Sequence, residues 1–338
     1  MNRFEKNIDL IIKRIKETKD IKSKLTIVTL WKVLVLLVLP LFYSYVTTID
    51  SRFNRHRQPP PPASLSEEAT TSAPPVFVAT FDNLSELTTF EQVVSHVFYV
   101  DAGAYVYPHE LDLQHLASLD LRTPLRGSTP RVLITHTHSQ EFFIDSDLTD
   151  ANQSIQGVGQ YLATLLSTEY NIGVIHDVGT YDLVAGERVL AGAYERWEQG
   201  VLAILALHPT IEVIIDLHRD AAPEGVRLVT QLGDQDTAQL MFFNGITRRR
   251  VEGEPKDLNH LFNPYLQENL ALSLQLFLHA NETFPGLARR NYIKAYRYSL
   301  HLRPRSLLVE VGGHTNTLQE AKNAMAPLAT LLVEVLGY

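Results

Sequence analysis

The 338-residue chain contains no cysteine. That absence excludes disulfide scaffolds, cysteine-ligated zinc modules and thiol nucleophiles, so any metal must be held by histidine and carboxylate. The chain also lacks an excess of basic charge: its formal net charge is -8. A nucleic-acid partner normally demands a cationic face that exchanges counterions with phosphates, and that class is set aside. The N-terminus has no small-residue cleavage pattern of the A-x-A kind in "FYSYVTTIDSRF", which argues against a removable signal peptide.

What is present near the N-terminus is a long apolar run. Leu25 to Val46 reads "LTIVTLWKVLVLLVLPLFYSYV" with Lys32 as its only charge. A helix of about 20 apolar residues crosses a bilayer core, so residues 25–48 are expected to form a single transmembrane anchor. Residues 1–24 are dense in lysine and arginine, which predicts a cytoplasmic N-terminus and a chain that lies otherwise outside the cell membrane. Residues 49–75 include "RHRQPPPPASLSEEATTSAPP", a proline-, serine- and threonine-rich composition expected of an extended extracytoplasmic tether.

Residues 76–127 carry no motif that points to chemistry and are expected to form an N-terminal extension of the outer domain, with "VVSHVFYVD" as one strand. From there to residue 338, strand-like runs ("RVLIT", "IGVIHD", "IEVIIDLH", "SLLVEVGG") alternate with helical spacings ("SIQGVGQYLATLLSTEY", "AGAYERWEQGVLAILALH"). This rhythm predicts an α/β domain with an open, mainly parallel twisted sheet and helices on both faces. A long helix is expected across "LNHLFNPYLQENLALSLQLFLHANETF", with a break near Pro264, and Thr317 and Glu320 have capping-box spacing.

In open parallel sheets ligands bind beyond the carboxyl ends of the strands. Three such ends carry unusual groups: His136, His138 and Glu141 in "THTHSQEFF", His218 and Arg219 after "IEVIID", and Glu310 in "LLVEVGG". A catalytic zinc takes three protein ligands and leaves a fourth position for water. His136, Glu141 and His218 would supply two nitrogens and one oxygen, leaving Glu310 to take a proton from that water. His138 is an alternative ligand to His136, because the two point to the same side if strand geometry persists. His176 is a candidate for the shell around the metal or for the groove, His314 for the groove, and Arg219 for steadying an oxyanion or a peptide carboxylate.

The ordered set "VLITHTHSQEFF", "GVIHD", "PTIEVIIDLHRDA", "FPGLAR" and "LLVEVGGHTNTLQEA" resembles the stage II sporulation protein P family of cell-wall hydrolases. The resemblance covers about residues 131–338 and agrees with the anchor and tether. It implies a zinc amidase-like fold and a Zn2+-dependent N-acetylmuramoyl-L-alanine amidase, with endopeptidase activity on peptide cross-links also attributed to the family. It implies action on peptidoglycan during sporulation engulfment, between the two membranes of the sporulating cell, in company with stage II sporulation proteins D and M. By the same resemblance His136, Glu141 and His218 match the metal positions and Glu310 the catalytic glutamate. The pattern departs at Ser299 and Leu300, where an Asn-Gln-like pair is expected, and at "MFFNG", where a Val-Gly-containing strand is expected. Two rival readings stay open at this point: a wall-binding scaffold without activity, and a zinc peptidase that cuts only cross-links.

Overall fold

The computed structural model describes residues 77–337. The expected cytoplasmic segment (1–24), anchor (25–48) and tether (49–75) lie outside the described residues. Among the described residues no helix is long and apolar enough to cross a membrane.

The strands are β1 (Phe98–Val100), β2 (Gly127–Thr135), β3 (Ile172–His176), β4 (Leu183–Val184), β5 (Glu187–Arg188), β6 (Val213–Asp220), β7 (Val229–Leu232), β8 (Gln235–Ala238), β9 (Leu240–Gly245), β10 (Arg248–Val251), β11 (Glu254–Asp257), β12 (Asn291–Lys294) and β13 (Arg305–Gly313). The helices are α1 (Phe90–His96), α2 (Leu113–Ser118), α3 (Ile155–Thr168), α4 (Ala193–Leu207), α5 (Leu266–Thr283), α6 (Leu318–Asn323) and α7 (Met325–Leu336). Seven strands form one sheet in the order β1-β12-β9-β13-β6-β2-β3, and β4–β5, β7–β8 and β10–β11 are separate hairpins.

The main sheet is mixed α/β in character and mainly parallel, as the alternating pattern predicts. Its one antiparallel junction is β9 with β13, which reverses the direction of β9, β12 and β1 relative to the other four strands. The reversal was not anticipated. It follows from the β7–β8 hairpin, which returns the chain to the sheet beside β13 without a crossover helix.

Period-two alternation sorts the two faces. Val213, Ile215 and Leu217 of β6, with Leu307, Val309 and Val311 of β13, enter the main core against α3, α5 and α7. Leu133 of β2 and Ile214 of β6 point the other way, into a second cluster built on Trp197, Val201 and Leu205 of α4. Helices therefore cover both faces. α5 starts at Leu266, after a short 3-10 turn at Asn259–Leu261, so the break expected near Pro264 is present. Thr317 and Glu320 form the expected capping box of α6.

The extension differs from its expected form. "VVSH" ends helix α1 rather than starting a strand, because Thr89 and Gln92 form a capping box, and only Phe98–Val100 joins the sheet, beside β12. The segment belongs to the main core through Phe98, Leu111, Leu113 and Leu116, and Gln275 of α5 donates to the Leu116 carbonyl at 3.0 Å.

Candidate functional site

The site grows from the carboxyl ends of β2, β6 and β13. On β6, Asp216 and His218 alternate with the core residues Ile215 and Leu217 and so face the α4 side of the sheet. On β13, Glu310 is the register partner of His218 and projects from the same face.

β2 ends at Thr135, and the chain then folds into a loop tied down by two buried aspartates. Thr137 donates its backbone N–H and its hydroxyl to the two carboxylate oxygens of Asp216, at 2.8 and 2.6 Å. Ser139 donates its N–H and hydroxyl to Asp182 Oδ1, at 3.0 and 2.6 Å, and Gln140 N–H donates to Asp182 Oδ2 at 3.1 Å. The loop then turns Glu141 back toward β6, where Arg219 N–H donates to Glu141 Oε2 at 2.8 Å and the Arg219 guanidinium donates to the Phe142 carbonyl at 2.9 Å.

The result is a cluster of His138, Glu141 and His218 whose ligand-type atoms all lie within 4.8 Å of one another. His138 Nδ1 is 3.4 Å from Glu141 Oε1, and His218 Nδ1 is 3.5 Å from Glu141 Oε2. Two donors on a tetrahedral zinc, each about 2.1 Å from the ion, stand roughly 3.4 Å apart, which both glutamate–histidine contacts match, and the donor types suit zinc. On its far side His218 Nε2 is 3.0 Å from Asp216 Oδ1, an ion-pair contact off the line of a good hydrogen bond.

Electrostatics point the same way. Burial opposes the charge of Glu141, yet His218 and His138 outweigh it and hold the carboxyl well below the usual range. Burial likewise opposes charge on Asp216, but His218 and the Thr137 hydrogen bond bring it down to about 2. Burial lowers His218 while Asp216 and Glu141 raise it, and the carboxylates win. Two buried carboxylates thus call for positive charge between them. The His218 ring meets that demand as a proton, and a divalent cation meets it in the same place. Glu310 behaves differently: burial pushes it up to about 8, with Glu141 and Asp220 adding to the rise and His218 opposing it. Among the described residues its Oε2 has no hydrogen-bond partner, although it is fully enclosed.

Of the residues selected from sequence, the structure brings Glu141 and His218 together with Glu310 opposite, and it gathers His138 rather than His136 into the cluster. His136 was the expected ligand by family resemblance, with His138 the alternative if both pointed to one side of a continuing strand; β2 ends at Thr135, and the two rings part. His136 turns inward, 0% exposed, with Nδ1 2.9 Å from the Leu217 carbonyl and Nε2 2.9 Å from His176 Nε2. A carbonyl only accepts, so His136 carries its proton on Nδ1 and its Nε2 accepts from His176. Burial, then His176, lowers His136 to about 3 and keeps it neutral. α3 lies over this pair at Gly159, where a Cβ would stand 2.6 Å from the His136 ring. His176 therefore supports His136 rather than the cluster. His314 is exposed, and the Arg219 guanidinium is turned to the loop carbonyls.

Three residues escaped the sequence reading. Asp216 had a signal, since two positions before His218 on a strand means the same face. Tyr194 of α4 stands 5.7 Å from His138, ring to ring. Asp182 precedes an ordinary hairpin and carries no local mark of its role.

Fold and site together define an α/β protein with a His/Glu/His group, half-buried at His138 and buried at Glu141 and His218, at the carboxyl ends of its central strands. The chain belongs to the stage II sporulation protein P family: the model described as Stage II sporulation protein P (SpoIIP) matches residues 76–333. No curated protein sequence matches it. Among solved structures, the N-acetylmuramoyl-L-alanine amidase AmiC2 of Nostoc punctiforme is similar at 11% identity and a TM-score of 0.37, over 62% of this chain and 97% of that one. The CwlD amidase of Clostridioides difficile, solved in complex with the GerS lipoprotein, is similar at 12% identity and a TM-score of 0.37, over 61% and 98%.

Proposed function

We propose that the chain is a zinc-dependent peptidoglycan hydrolase that cuts the amide between the lactyl group of N-acetylmuramic acid and L-alanine of the stem peptide. The observation that carries this reading is the pairing, over one sheet face, of a three-donor cluster with a half-buried glutamate outside it whose Oε2 is enclosed. His138, Glu141 and His218 would hold the metal, and Asp216 stands behind His218 to orient its ring. When bound, zinc supplies a Lewis acid for the scissile carbonyl and acidifies water at its open position. The charge of the bound metal beside it would favour the ionised form of Glu310, which takes the proton from water as it attacks the carbonyl and passes it to the departing amine, so the products are a lactyl carboxylate and a free L-alanine amino group. Residues 25–48 anchor the protein with residues 76–338 outside the cell membrane. Family membership supports a role in sporulation, and the resemblance to wall hydrolases that act in engulfment supports stage II sporulation proteins D and M as partners.

The test is digestion of purified cell wall by the full chain. The reading expects whole stem peptides with new L-alanine amino termini, lost on chelation and restored by zinc. Release of cross-link fragments alone would move the assignment to a peptidase, and wall binding without release would move it to a scaffold.

A further inference from the structure

The sheet face that carries Asp216, His218 and Glu310 continues toward β1, and what it carries there is aromatic. In register across the sheet, Tyr99 of β1 pairs with Tyr292 of β12, Tyr292 with Phe243 of β9, Phe243 with Leu308 of β13, and Leu308 with Asp216 of β6. Cross-strand partners project from the same face. The next row on that face holds His218, Glu310 and Met241, so the aromatic row lies alongside the candidate active site.

The rings join up. From His138 to Tyr194 the centres are 5.7 Å apart, then 5.4 Å to Tyr298, 4.7 Å to Phe243, 5.4 Å to Tyr292 and 5.2 Å to Tyr99. The inner rings are packed, but Tyr99 is 51% exposed, as is 46% of Tyr296 near Tyr298. Tyr99 on β1 and Tyr296 just after β12 therefore carry the packed row out to solvent. Cations accompany its outer end: the Arg290 guanidinium is 5.6 Å from the Tyr99 ring centre and Lys294 Nζ is 5.3 Å from that of Tyr292.

We infer that this aromatic row is a platform for the glycan strand of the substrate, holding the sugars that lead away from the cut lactyl amide. Resting on the hydrolase reading above, the inference adds where the polymer lies. The C–H face of a pyranose is apolar and slightly positive, and the face of a tyrosine ring is apolar and slightly negative, so the two stack while hydroxyls stay hydrated at the rim. Every second sugar carries a lactyl group, which is a carboxylate once its peptide has been removed. Arg290, held beside Tyr99 by hydrogen bonds from its guanidinium to the Val94 and Ser95 carbonyls, and Lys294 are placed to meet that charge. Continuity with the His138 cluster and this charge match favour the glycan over the stem peptide.

The experiment uses the full chain and two probes: glycan strands stripped of stem peptides, and the free stem peptide. The inference expects the stripped glycan to bind, Tyr99→Ala to weaken it by about three- to tenfold, and Tyr99→Phe and Tyr292→Phe to bind like the unsubstituted chain, because the ring and not the hydroxyl stacks. Tyr99 is half exposed, so an unchanged melting temperature for Tyr99→Ala separates lost stacking from lost folding. Glycan binding that ignores Tyr99→Ala, or a loss confined to the free peptide, would overturn the inference. If wall digestion proceeds in that case, the hydrolase reading stands without the platform. If no stem peptide is released but glycan binding depends on Tyr99, the platform stands and the hydrolase reading fails.

Discussion

Glu310 and His218 are register partners on adjacent parallel strands, β13 and β6, with side chains on one face. Neighbouring strands lie about 4.8 Å apart, so a group at the His218 ring and a group at the Glu310 carboxyl meet the same small volume. The backbone ladder fixes this separation before any side chain is chosen, and it gives the two residues distinct tasks: one in the donor cluster, the other beside it.

The two histidines of "THTHSQEFF" should separate cleanly. His138→Ala removes a donor and is expected to weaken zinc binding at least about 100-fold, since three-ligand sites depend on each donor. His136→Ala should keep its zinc but lose about 1–3 kcal/mol of stability, because the partners of its two ring nitrogens, His176 Nε2 and the Leu217 carbonyl, lose that bond. Zinc analysis and thermal melting of both variants check this. Loss of zinc in His136→Ala alone would reverse the assignment.

Asp182 is expected to matter without touching the metal. It receives three hydrogen bonds from Ser139 and Gln140, which fix the course of the chain between His138 and Glu141. Asp182→Ala should lower zinc affinity about 10- to 100-fold, the range for groups that orient ligands. Competition with a metal indicator reads the effect, and an unchanged affinity would show that the loop holds its shape unaided.

Gly159→Ala sets two effects against each other. Alanine favours a helix interior by about 1 kcal/mol over glycine. At this position, however, the new Cβ would meet the His136 ring at 2.6 Å and His176 at 3.0 Å. Overpacking of this kind costs about 1–3 kcal/mol, so net destabilisation is expected, and a raised melting temperature would contradict the buried histidine pair.

Glu310 also predicts a pH dependence. Its pKa is raised by burial from 4.5 to about 8 in the folded chain, so the folded state holds a proton that the unfolded state has lost. Its contribution is therefore fully present below the ordinary glutamate range and is lost as pH rises toward 8. With metal chelated, the melting temperature of Glu310→Gln should gain on that of the unsubstituted chain between pH 5 and pH 8.5. A constant difference across that range would remove the basis for a strained, enclosed carboxyl.

Much of the site was legible where strand periodicity reached it. Val213, Ile215 and Leu217 alternating with Ile214, Asp216 and His218 already states which side faces the core, and the same holds for Glu310 between Val309 and Val311. Legibility stopped where β2 stopped. Which histidine turns outward after Thr135 is decided by Asp216 and Asp182, which lie 79 and 43 residues further along the chain from the groups they bind. The reversed direction of β9 was hidden for a related reason: a strand buried on both faces reads alike in either orientation. The helix over "VVSH" was within reach, since Thr89 and Gln92 announce its start.

The most direct test of the central claim is to measure zinc content and stem-peptide release together in Glu310→Gln. The substitution keeps the shape and removes the proton acceptor. The account predicts zinc bound as in the unsubstituted chain and a fall in release of about 10²- to 10⁴-fold. Near-normal release would contradict the role given to Glu310, and loss of zinc along with activity would make Glu310 a ligand and place the proton acceptor elsewhere.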